Sequence, residues 1–419
     1  MKILVISNNS FLNSNSNGRT LGSLLQGFDK SELLQFCVSG GAISENLISD
    51  AYQISDRQMV QGFTKRKIHA VKLPSDQKVD VTTEQNNDRV TVKHTAATML
   101  MREAVWDLSL RKTDFLEIAK AFQPDLILYQ MGANAFWIKL TLELAEATGA
   151  KVAVYTTEDY YFKDYDYFLR KIKMGPAYRL FYGKYKKAVE VLMARTSMLV
   201  ANTPMLEGMY EHQFSVPTKV IMPSAGDFSN IDAVPNGKII YAGNLGLDRH
   251  LSLIAIARIL RKYDLSLDVY GSAGEDIVQQ FEAEGNIRYN GFLDYSSLKK
   301  IMRGARLLLH AESFDAFYRR DVRAGFSTKI TDCLASGVPF FLYAPKEVAA
   351  TQYLLEEDNA FVCTEEKDLE EVLHAALFDE GQRKTVVERA LTSVKENHDA
   401  AANSRRMREC LEKAVETMK

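Results

Sequence analysis

The chain has 419 residues, of which 46% are hydrophobic and 25% charged, and its formal net charge is −2. This length exceeds what one ordinary core holds, and the hydrophobic share excludes a largely disordered chain, so two globular domains are expected. The balanced charge argues against wholesale nucleic-acid binding, because no overall positive field would gather phosphates. We therefore predict no nucleic-acid partner.

Membrane-spanning and disulfide-stabilised classes are also disfavoured. The apolar run Met1–Ile6 is too short for a signal peptide, and no stretch approaches the roughly 18 apolar residues that span a bilayer. Neither CxxC nor any other patterned spacing relates the four cysteines, which are Cys37, Cys333, Cys363 and Cys410. A disulfide framework or zinc site is therefore not expected. We predict a cytoplasmic protein, peripheral on the inner membrane face at most.

Short apolar runs alternate with longer helical periods in the first half, which predicts a parallel sheet wound with helices. The predicted strands are Ile3–Ile6, Asp125–Tyr129, Val152–Tyr155 and Met198–Ala201. The predicted helices are Gly18–Phe28, His94–Phe122, Ala135–Ala147 and Phe162–Ala194. Residues 54–89 are polar and lack periodicity, which predicts a long mobile loop. The Asn and Ser run at residues 8–17 predicts another loop after the first strand.

A segment rich in proline and glycine, Met222–Lys238, is the predicted linker between the domains. A second alternation follows it. Its predicted strands are Lys238–Ala242, Leu267–Tyr270, Ile287–Tyr289, Leu307–His310, Pro339–Leu342 and Ala360–Val362. Its predicted helices are Leu251–Lys262, Glu275–Glu284, Tyr295–Arg303, Thr328–Ser336 and Lys346–Glu356. After Lys367 the pattern is helical to the end of the chain.

The stretch Gly325–Pro339 carries the most informative pattern. Its glycine-containing entry, followed by Ser327 and Thr328, predicts a helix start whose unbonded N–H groups attract phosphate. Asp332 lies one turn further along, where its carboxylate could accept hydrogen bonds from two ribose hydroxyls. The alternative is an ordinary capped helix with one solvated aspartate.

Three strand-to-helix turns precede that stretch. In the turn after the first strand of this half, Gly243 and Asn244 are followed by Arg249, whose forked guanidinium suits a diphosphate. Gly271 follows the next strand and would let a ligand approach the backbone. Phe292 follows a third strand, and its backbone groups could read the edge of a base. The alternative is a set of ordinary turns, since each signal is common by itself.

In this order and at these separations, the four elements resemble the GT-B glycosyltransferases, especially the family 4-type retaining enzymes of bacterial surface-polysaccharide assembly. The resemblance implies an α/β protein with two Rossmann-like domains that face a cleft. It implies an acceptor-binding domain at residues 1–225 and a nucleotide-sugar-binding domain at residues 226–395. A C-terminal helix, residues 396–419, is expected to pack back on the first domain.

The resemblance also assigns residues within the second domain. Gly325, Phe326 and Asp332 fill family positions, with Asp332 in place of the family's ribose-binding glutamate. Ala324 stands where the family has a glutamate that touches the donor sugar, and Asp315 or Glu312 is expected to replace that contact.

The family's pair of basic residues falls on Asn244 and Arg249, so Lys329 is expected to supply the second positive charge. With the Ser327–Thr328 amides, Arg249 and Lys329 would stabilise the departing diphosphate. No cofactor and no metal are expected, and the nucleotide-diphosphate sugar is a co-substrate. His310 ends an apolar strand and is predicted to be structural.

Two features of the first half could serve the acceptor side. Gly18, in the run Asn17–Thr20, lies where the family has its glycine-rich loop, although these residues also make a plain helix cap. Glu158 and Asp159 follow a predicted strand, where they could bind acceptor hydroxyls or act as a base. A helix-capping role is the alternative for both carboxylates.

Residues 163–187 contain eight lysines or arginines and seven phenylalanines or tyrosines. Such interleaving is typical of segments at a lipid headgroup region, where rings lie at the interface and amines contact anionic lipid. The alternative is a domain helix with its rings packed inward and its cations solvated.

The resulting prediction is a glycosyltransferase that moves a sugar from a UDP- or GDP-sugar to a glycan or polyprenyl-linked acceptor in bacterial polysaccharide synthesis, with retention of configuration. One alternative is a nucleotide-sugar epimerase of the same fold, which needs no acceptor. Another is a catalytically silent paralogue that binds nucleotide sugar. Turnover with any acceptor separates the enzyme from the silent paralogue.

Overall fold

The computed structural model describes residues 1–11, 16–62, 64–75 and 94–416. The chain forms two compact units, of which the first contains Met1–Met222 with Ala400–Lys419 and the second contains Pro223–Asp399. The first unit is therefore discontinuous in sequence. The predicted boundaries lay at residues 225 and 395.

Each unit is built around one β-sheet. In chain order the strands are β1 (Ile3–Ile6), β2 (Leu33–Cys37), β3 (Asp50–Gln53), β4 (Val71–Lys72), β5 (Leu126–Gln130), β6 (Lys151–Thr156), β7 (Thr196–Ala201), β8 (Thr218–Val220), β9 (Ile239–Ala242), β10 (Leu267–Tyr270), β11 (Ile287–Tyr289), β12 (Leu307–Ala311), β13 (Phe340–Tyr343) and β14 (Phe361–Cys363).

Helices connect these strands. They are α1 (Ser16–Leu25), α2 (Asp56–Gln61), α3 (Ala96–Ser109), α4 (Phe115–Phe122), α5 (Ala135–Thr148), α6 (Pro176–Met193), α7 (Pro204–Gln213), α8 (Arg249–Arg261), α9 (Glu275–Glu284), α10 (Tyr295–Arg303), α11 (Ala316–Asp321), α12 (Thr328–Ala335), α13 (Ala349–Glu357), α14 (Leu369–Phe378), α15 (Glu380–Ser393) and α16 (Ala400–Glu416).

The sheet of the first unit has the order β4-β3-β2-β1-β5-β6-β7-β8. Its strand pairs are parallel except β3 with β4, which is antiparallel. The second sheet has the order β11-β10-β9-β12-β13-β14, and all of its pairs are parallel. Parallel strands joined by crossover helices are the doubly wound architecture that the alternating pattern predicted.

Burial explains why these strands were recognisable. Strands β1 and β12, which lie in the middle of their sheets, are buried at every position. A strand covered on both faces has no polar side, so it appears in sequence as a continuous apolar run. The predicted strands of the second half therefore match the observed ones within a residue or two.

The first half contains structure that was not predicted. Residues 54–89 were expected to form a mobile loop, but Ser55 caps helix α2 and strand β4 pairs with β3. Residues 76–89 of that predicted loop, and residues 12–15 of the predicted Asn and Ser loop, lie outside the described residues. Strand β3 and the edge strand β8 were missed because both are short and partly polar, and the buried strand β2 was also not predicted.

Two predicted helices are each divided. The predicted helix His94–Phe122 contains α3, a 3-10 turn at Leu110–Lys112 and α4. The predicted helix Phe162–Ala194 is wrong over its first part, since residues 163–175 form a turn region in which Asp166 and Lys171 make an antiparallel bridge. Regular helix begins only at Pro176, where proline suits the first helical position.

The C-terminal helix α16 belongs to the core of the first unit. Met407, Leu411 and Ala414 are buried in the same apolar cluster as β1 residues Ile3 and Val5. The core of the second unit is separate and lies between its sheet and helices α8 and α14. Among the described residues, no helix is both long enough and apolar enough to cross a membrane.

Candidate functional site

The carboxyl ends of four neighbouring strands in the second unit carry the predicted donor-binding turns. From β9 the chain proceeds to β10 and β11 on one side, and then returns to β12 on the other side. Such a reversal opens a crevice at the carboxyl ends of the two central strands, where doubly wound sheets bind ligands. Gly243 and Glu312 are the first residues after β9 and β12, so they flank this switch point.

Gly243 and Gly271 bring two of these turns together. The N–H of Gly243 donates to the carbonyl of Tyr270 at 2.9 Å. Gly271 has φ +147°, and a Cβ there would overlap the carbonyl oxygen of Gly243. Glycine at position 271 is therefore required by backbone packing between the turns, which differs from the predicted reason of ligand approach.

The turn that follows β9 is held by its own polar groups. Asn244 was predicted to stand in for a phosphate-binding residue, but its side-chain oxygen accepts the N–H of Gly246 at 2.8 Å. Its carbonyl oxygen accepts the hydroxyl of Tyr241 at 2.8 Å. Asn244 thus shapes the turn that leads into α8.

The same turn ends in two consecutive left-handed residues. Leu247 has φ 62° and Asp248 has φ 55°, although neither is glycine. Each such residue costs on the order of 1–3 kcal/mol and persists only where the surroundings enforce it. This strain sits at the start of α8, immediately before Arg249, and marks the turn as a candidate functional element.

Arg249, Glu312 and His310 form a buried charged network at the switch point. Arg249 Nε and Nη2 donate to the two carboxylate oxygens of Glu312, at 2.7 and 2.9 Å. His310 Nε2 lies 3.0 Å from Glu312 Oε1. Burial would raise the pKa of Glu312, but the Arg249 charge and the His310 hydrogen bond outweigh it and bring the pKa to about 2.

His310 is neutral at physiological pH. Burial lowers its pKa, the neighbouring Glu312 opposes this, and the positive charges of Arg249 and Lys329 add to the lowering. A neutral imidazole that faces a carboxylate carries its proton on the facing nitrogen, so Nε2–H donates to Glu312. Helix α12, which carries Lys329, packs against β12, the strand that ends one residue before Glu312.

Helix α12 begins where the sequence predicted a phosphate-binding helix start. Ser327 is the N-cap, and its hydroxyl accepts the N–H of Lys329 at 3.4 Å. Ser327, Thr328 and Lys329 are each partly exposed. Together with Arg249, this helix start provides cations and backbone donors of the kind that bind phosphate.

Asp332 lies one turn into α12 and is buried. Its Oδ1 accepts the N–H of Gly226 and the hydroxyl of Tyr295, each at 2.9 Å. The carboxylate therefore joins the segment after Met222 to α10 and α12. A ribose contact, as predicted, would share the carboxylate with these two donors, which its several lone pairs permit.

Asp315 and Phe292 have different surroundings. Asp315 is the N-cap of α11, and its Oδ1 accepts the N–H groups of Phe317 and Tyr318 at 2.9 and 3.3 Å. It also lines a surface cavity of about 920 Å³ along α8. Arg249, Lys329 and Asp332 do not line that cavity, so we place the candidate site at the switch point. Phe292 is 79% exposed at the end of β11, where its ring is open to a ligand.

The predicted residues of the first unit divide into buried and exposed groups. Asp159 is buried, with its Oδ1 4.0 Å from Nζ of the equally buried Lys163. Glu158 is partly exposed and lies 3.6 Å from the same amine. Gly18 lies within the first turn of α1, so the loop predicted around it is helical at that position.

A polar cluster at the carboxyl edge of the first sheet was missed. Asn8 Oδ1, after β1, accepts hydrogen bonds from Asn134 Nδ2 and Trp137 Nε1, each at 2.9 Å. Glu103, from α3, accepts the first N–H groups of α5 at 2.9 Å. Burial raises the pKa of Glu103 to about 7 against the opposing charge of Lys184. No local sequence motif indicates a role for Glu103, because α3 reaches the start of α5 only in the folded chain.

The segment 163–187 presents its charges and its rings on different sides. Tyr165, Tyr178, Phe181 and Tyr185 are buried, which contradicts the predicted position of these rings at a headgroup interface. The exposed apolar side chains of this region are instead aliphatic. We define the tip as residues 169–180, which expose Leu169, Ile172 and Leu180 together with Arg170, Lys171, Lys173 and Arg179.

Solved structures with the same fold are glycosyltransferases of the GT-B type. The structure of Anabaena Alr3699/HepE in complex with UDP has a TM-score of 0.62 and 12% identity, covering 98% of this chain and 100% of that one. Trehalose-6-phosphate synthase OtsA has a TM-score of 0.59 and 14% identity, and the alignment covers 100% of both chains. WaaG, a glycosyltransferase involved in lipopolysaccharide biosynthesis, has a TM-score of 0.57 and 12% identity. The alignment covers 97% of this chain and 99% of WaaG. The predicted GT-B fold is confirmed.

The amino-acid sequence adds a second and independent match. Residues 249–411 match the family model described as glycosyl transferase-like, and this segment includes Arg249, Lys329 and Asp332. No curated protein matches the chain significantly in sequence. The GT-B fold and the glycosyl transferase-like segment confirm the predicted enzyme class, a glycosyltransferase.

Proposed function

We propose that the chain transfers a sugar from a UDP- or GDP-sugar to a glycan or polyprenyl-linked acceptor in bacterial polysaccharide synthesis. The observation that carries this proposal is the arrangement at the switch point of the second sheet. There Arg249 and Lys329 belong to helices α8 and α12, which both pack against β12, and the start of α12 adds N–H donors. A diphosphate is the part of a nucleotide sugar that such a site binds.

Each part of the donor has a proposed contact. Lys329 and the amides after Ser327 bind the diphosphate, Asp332 binds the ribose, and Phe292 lies beside the base. During transfer the diphosphate departs with additional negative charge. Arg249 and Lys329, already in position, would stabilise that charge without a large reorganisation.

The comparisons support the choice of donor and the outcome of transfer. HepE has been crystallised with UDP and glucose, and with UDP-glucose. A trehalose-6-phosphate synthase structure with 15% identity and a TM-score of 0.59 was studied for glycosyl transfer with retention. We propose a uridine nucleotide as the first donor to test, and retention as the stereochemical outcome.

We place the acceptor on the first unit, with Glu158 as the carboxylate that contacts acceptor hydroxyls. Asp159 is too buried for this role. The exposed aliphatic and basic tip suits contact with an anionic membrane that carries a lipid-linked acceptor. The proposal therefore includes action at the cytoplasmic face of the membrane, and WaaG's part in lipopolysaccharide biosynthesis favours such an acceptor.

Thermal unfolding with UDP, GDP, ADP, CMP and their common sugar conjugates tests the donor site. A ligand at 100 times its Kd stabilises a protein by about 2.7 kcal/mol, so selective stabilisation by UDP or GDP is expected. Lys329→Ala should abolish that shift, and Lys384→Ala, at an exposed position of α15, should retain it. No shift with any diphosphate nucleotide in the folded protein would contradict the proposal.

Product analysis separates transfer from its two alternatives. Mass spectrometry of a reaction with a UDP-sugar and a lipid-linked acceptor should show glycosylated acceptor and released UDP. A change of the nucleotide sugar without any acceptor would indicate an epimerase. Binding without turnover would favour a silent paralogue, a reading that Ala324 keeps open because the resembled family has a glutamate there.

A further inference from the structure

The guanidinium of Arg249 is hydrogen-bonded to the carboxylate of Glu312, the residue that follows the neighbouring strand β12. Its Nε and Nη2 donate to Glu312, whose backbone follows β12 whereas Arg249 begins the helix after β9. The carbonyl of Glu312 also accepts the hydroxyl of Ser252 at 2.7 Å. These bonds connect the residues that follow β9 with those that follow β12.

We propose that Glu312 is a positioning residue for donor binding, and that it orients the Arg249 guanidinium toward the diphosphate. This inference rests on the proposed function. A guanidinium has five N–H groups in a rigid plane, and Glu312 accepts from one edge of it. Nη1 also donates to the carbonyl of Asn244 at 3.4 Å, so these bonds together fix the orientation of the guanidinium before the donor arrives, which lowers the entropy lost on binding.

His310 supports the same arrangement from the other side of Glu312. Its Nε2–H donates to Oε1, the oxygen that also accepts from Arg249 Nη2. The ring of His310 stacks on Tyr241 with their centroids 6.1 Å apart and an angle of 17° between planes. Tyr241 in turn bonds the carbonyl of Asn244. The strained turn, the arginine and the carboxylate therefore form one connected unit.

Glu312 stays with Arg249 when the donor binds. The carboxylate is only 6% exposed, and departure of the guanidinium would leave a buried negative charge without its main counterion, which is unfavourable. The Arg249–Glu312 pair is neutral as a whole. Lys329 therefore supplies the net positive charge at this site, and Arg249 supplies directed hydrogen bonds.

Calorimetric titration of Glu312→Gln with UDP, GDP, uridine and guanosine tests this inference. Loss of one charge-assisted bond should weaken diphosphate binding about tenfold. Nucleoside affinity should remain unchanged, because the proposed base and ribose contacts, Phe292 and Asp332, lie in the turn after β11 and on helix α12. Glu365→Gln, in the exposed pair with Lys367, is the matched control and should change neither affinity.

A second pair of variants tests the inference independently, in case Glu312→Gln does not fold. His310→Gln retains a side-chain N–H that can reach Glu312 and should bind UDP within about threefold of the wild type, whereas His310→Leu should lose about as much as Glu312→Gln. Equal losses for nucleosides and diphosphates would indicate a merely structural role and overturn the inference. Unchanged or tighter diphosphate binding by both Glu312→Gln and His310→Leu would also overturn it. If the wild type binds neither UDP nor GDP, the proposed function itself fails.

Discussion

Single residues at the switch point combine backbone strain with buried charge. Leu247 and Asp248 adopt left-handed backbone angles, Gly271 packs against the carbonyl of Gly243, and Glu312 is buried beside Arg249. The left-handed backbone of Leu247 and Asp248 and the burial of the Glu312 charge each have a free-energy cost. Packing and hydrogen bonds between strands β9, β10 and β12 offset that cost, so the arrangement exists only in the folded unit.

Gly271→Ala should destabilise the second unit strongly. The added Cβ would overlap the Gly243 carbonyl, and the φ of +147° is itself unfavourable for alanine, so a loss of about 3 kcal/mol or more is expected. Urea unfolding measures the change. Gly285→Ala is the control, because it has φ +74° but no heavy atom near the added Cβ, and it should cost only about 1 kcal/mol. Similar losses for both variants would contradict the backbone contact.

Glu103 should make the stability of the first unit depend on pH. Burial raises its folded-state pKa to about 7 from an ordinary value of 4.5, so the native state binds more protons between these values than the unfolded state does. The stability associated with the protonated carboxyl is complete below pH 4.5 and is lost as the pH rises through 7. The loss is on the order of 3 kcal/mol.

Urea unfolding from pH 4.5 to 8 would measure this slope. Asp107 and Lys184 also face Glu103, so Glu103→Gln should flatten the slope without removing every pH effect. Glu146→Gln, an exposed substitution on α5, should leave the slope as in the wild type. An unchanged slope in Glu103→Gln would mean that another group titrates.

At the scale of elements, the region from 163 to 193 places most of its aromatic rings in the core and most of its basic side chains at the surface. The rings of Tyr178, Phe181 and Tyr185 on α6 face inward. Lys184 bonds Asp107 at 2.6 Å, and Lys186 lies 4.5 Å from the ring centroid of Tyr161. These two lysines of the helix body are therefore engaged within the fold. The tip, ahead of and within the first turns of α6, is the part that can contact a membrane.

Charge reversal within the tip should weaken membrane binding. Lys171→Glu with Lys173→Glu replaces two positive charges by two negative ones, and each cation near an anionic surface contributes about 1 kcal/mol. Sedimentation with vesicles of phosphatidylglycerol and phosphatidylethanolamine measures the bound fraction. Lys384→Glu with Lys395→Glu makes the same change in net charge on exposed positions of the second unit and should bind like the wild type. Equal binding by all three proteins would remove the membrane contact from the proposal.

At the scale of the whole molecule, the first unit is completed by the last helix of the chain. Helix α16 buries Met407, Leu411 and Ala414 in the core around β1 and β5. Ser404 Oγ accepts the N–H of Gly27 at 2.7 Å, across 377 positions of sequence. Folding of the first unit therefore requires residues that follow the entire second unit.

Truncation after Asp399 should prevent stable folding of the first unit. It removes three buried core side chains, and loss of one buried leucine alone costs about 2–5 kcal/mol. Limited proteolysis with mass spectrometry should find cleavage throughout residues 1–222 and a protected second unit. Leu411→Ala should show a milder loss of the same kind, and Leu391→Ala, at an exposed position, should show none. Protection of both units in the truncated protein would contradict the role of α16.

Much of this architecture could be predicted because local pattern and burial agree. Strands β9 and β13 of the second half are continuous apolar runs, and the start of α12 has an N-cap serine that the structure confirms. Strands near a sheet edge, such as β3, are partly polar, and residues 163–175 contain helix-favouring residues without forming a helix. In these places tertiary contacts outweigh local preference.

The sequence by itself determined the doubly wound fold class, the enzyme class, and the turns that carry Gly243, Arg249, Phe292 and Lys329. The fold class and the turns follow from hydrophobic periodicity and from turn and capping residues, which act over a few positions of the chain. The enzyme class follows from the resemblance to the GT-B glycosyltransferases. Only the tertiary structure decided that Arg249 pairs with Glu312, because those residues lie 63 positions apart and meet only when β9 and β12 become neighbours. It likewise decided the buried state of Glu103 and the place of α16, since burial and long-range pairing are properties of the packed chain.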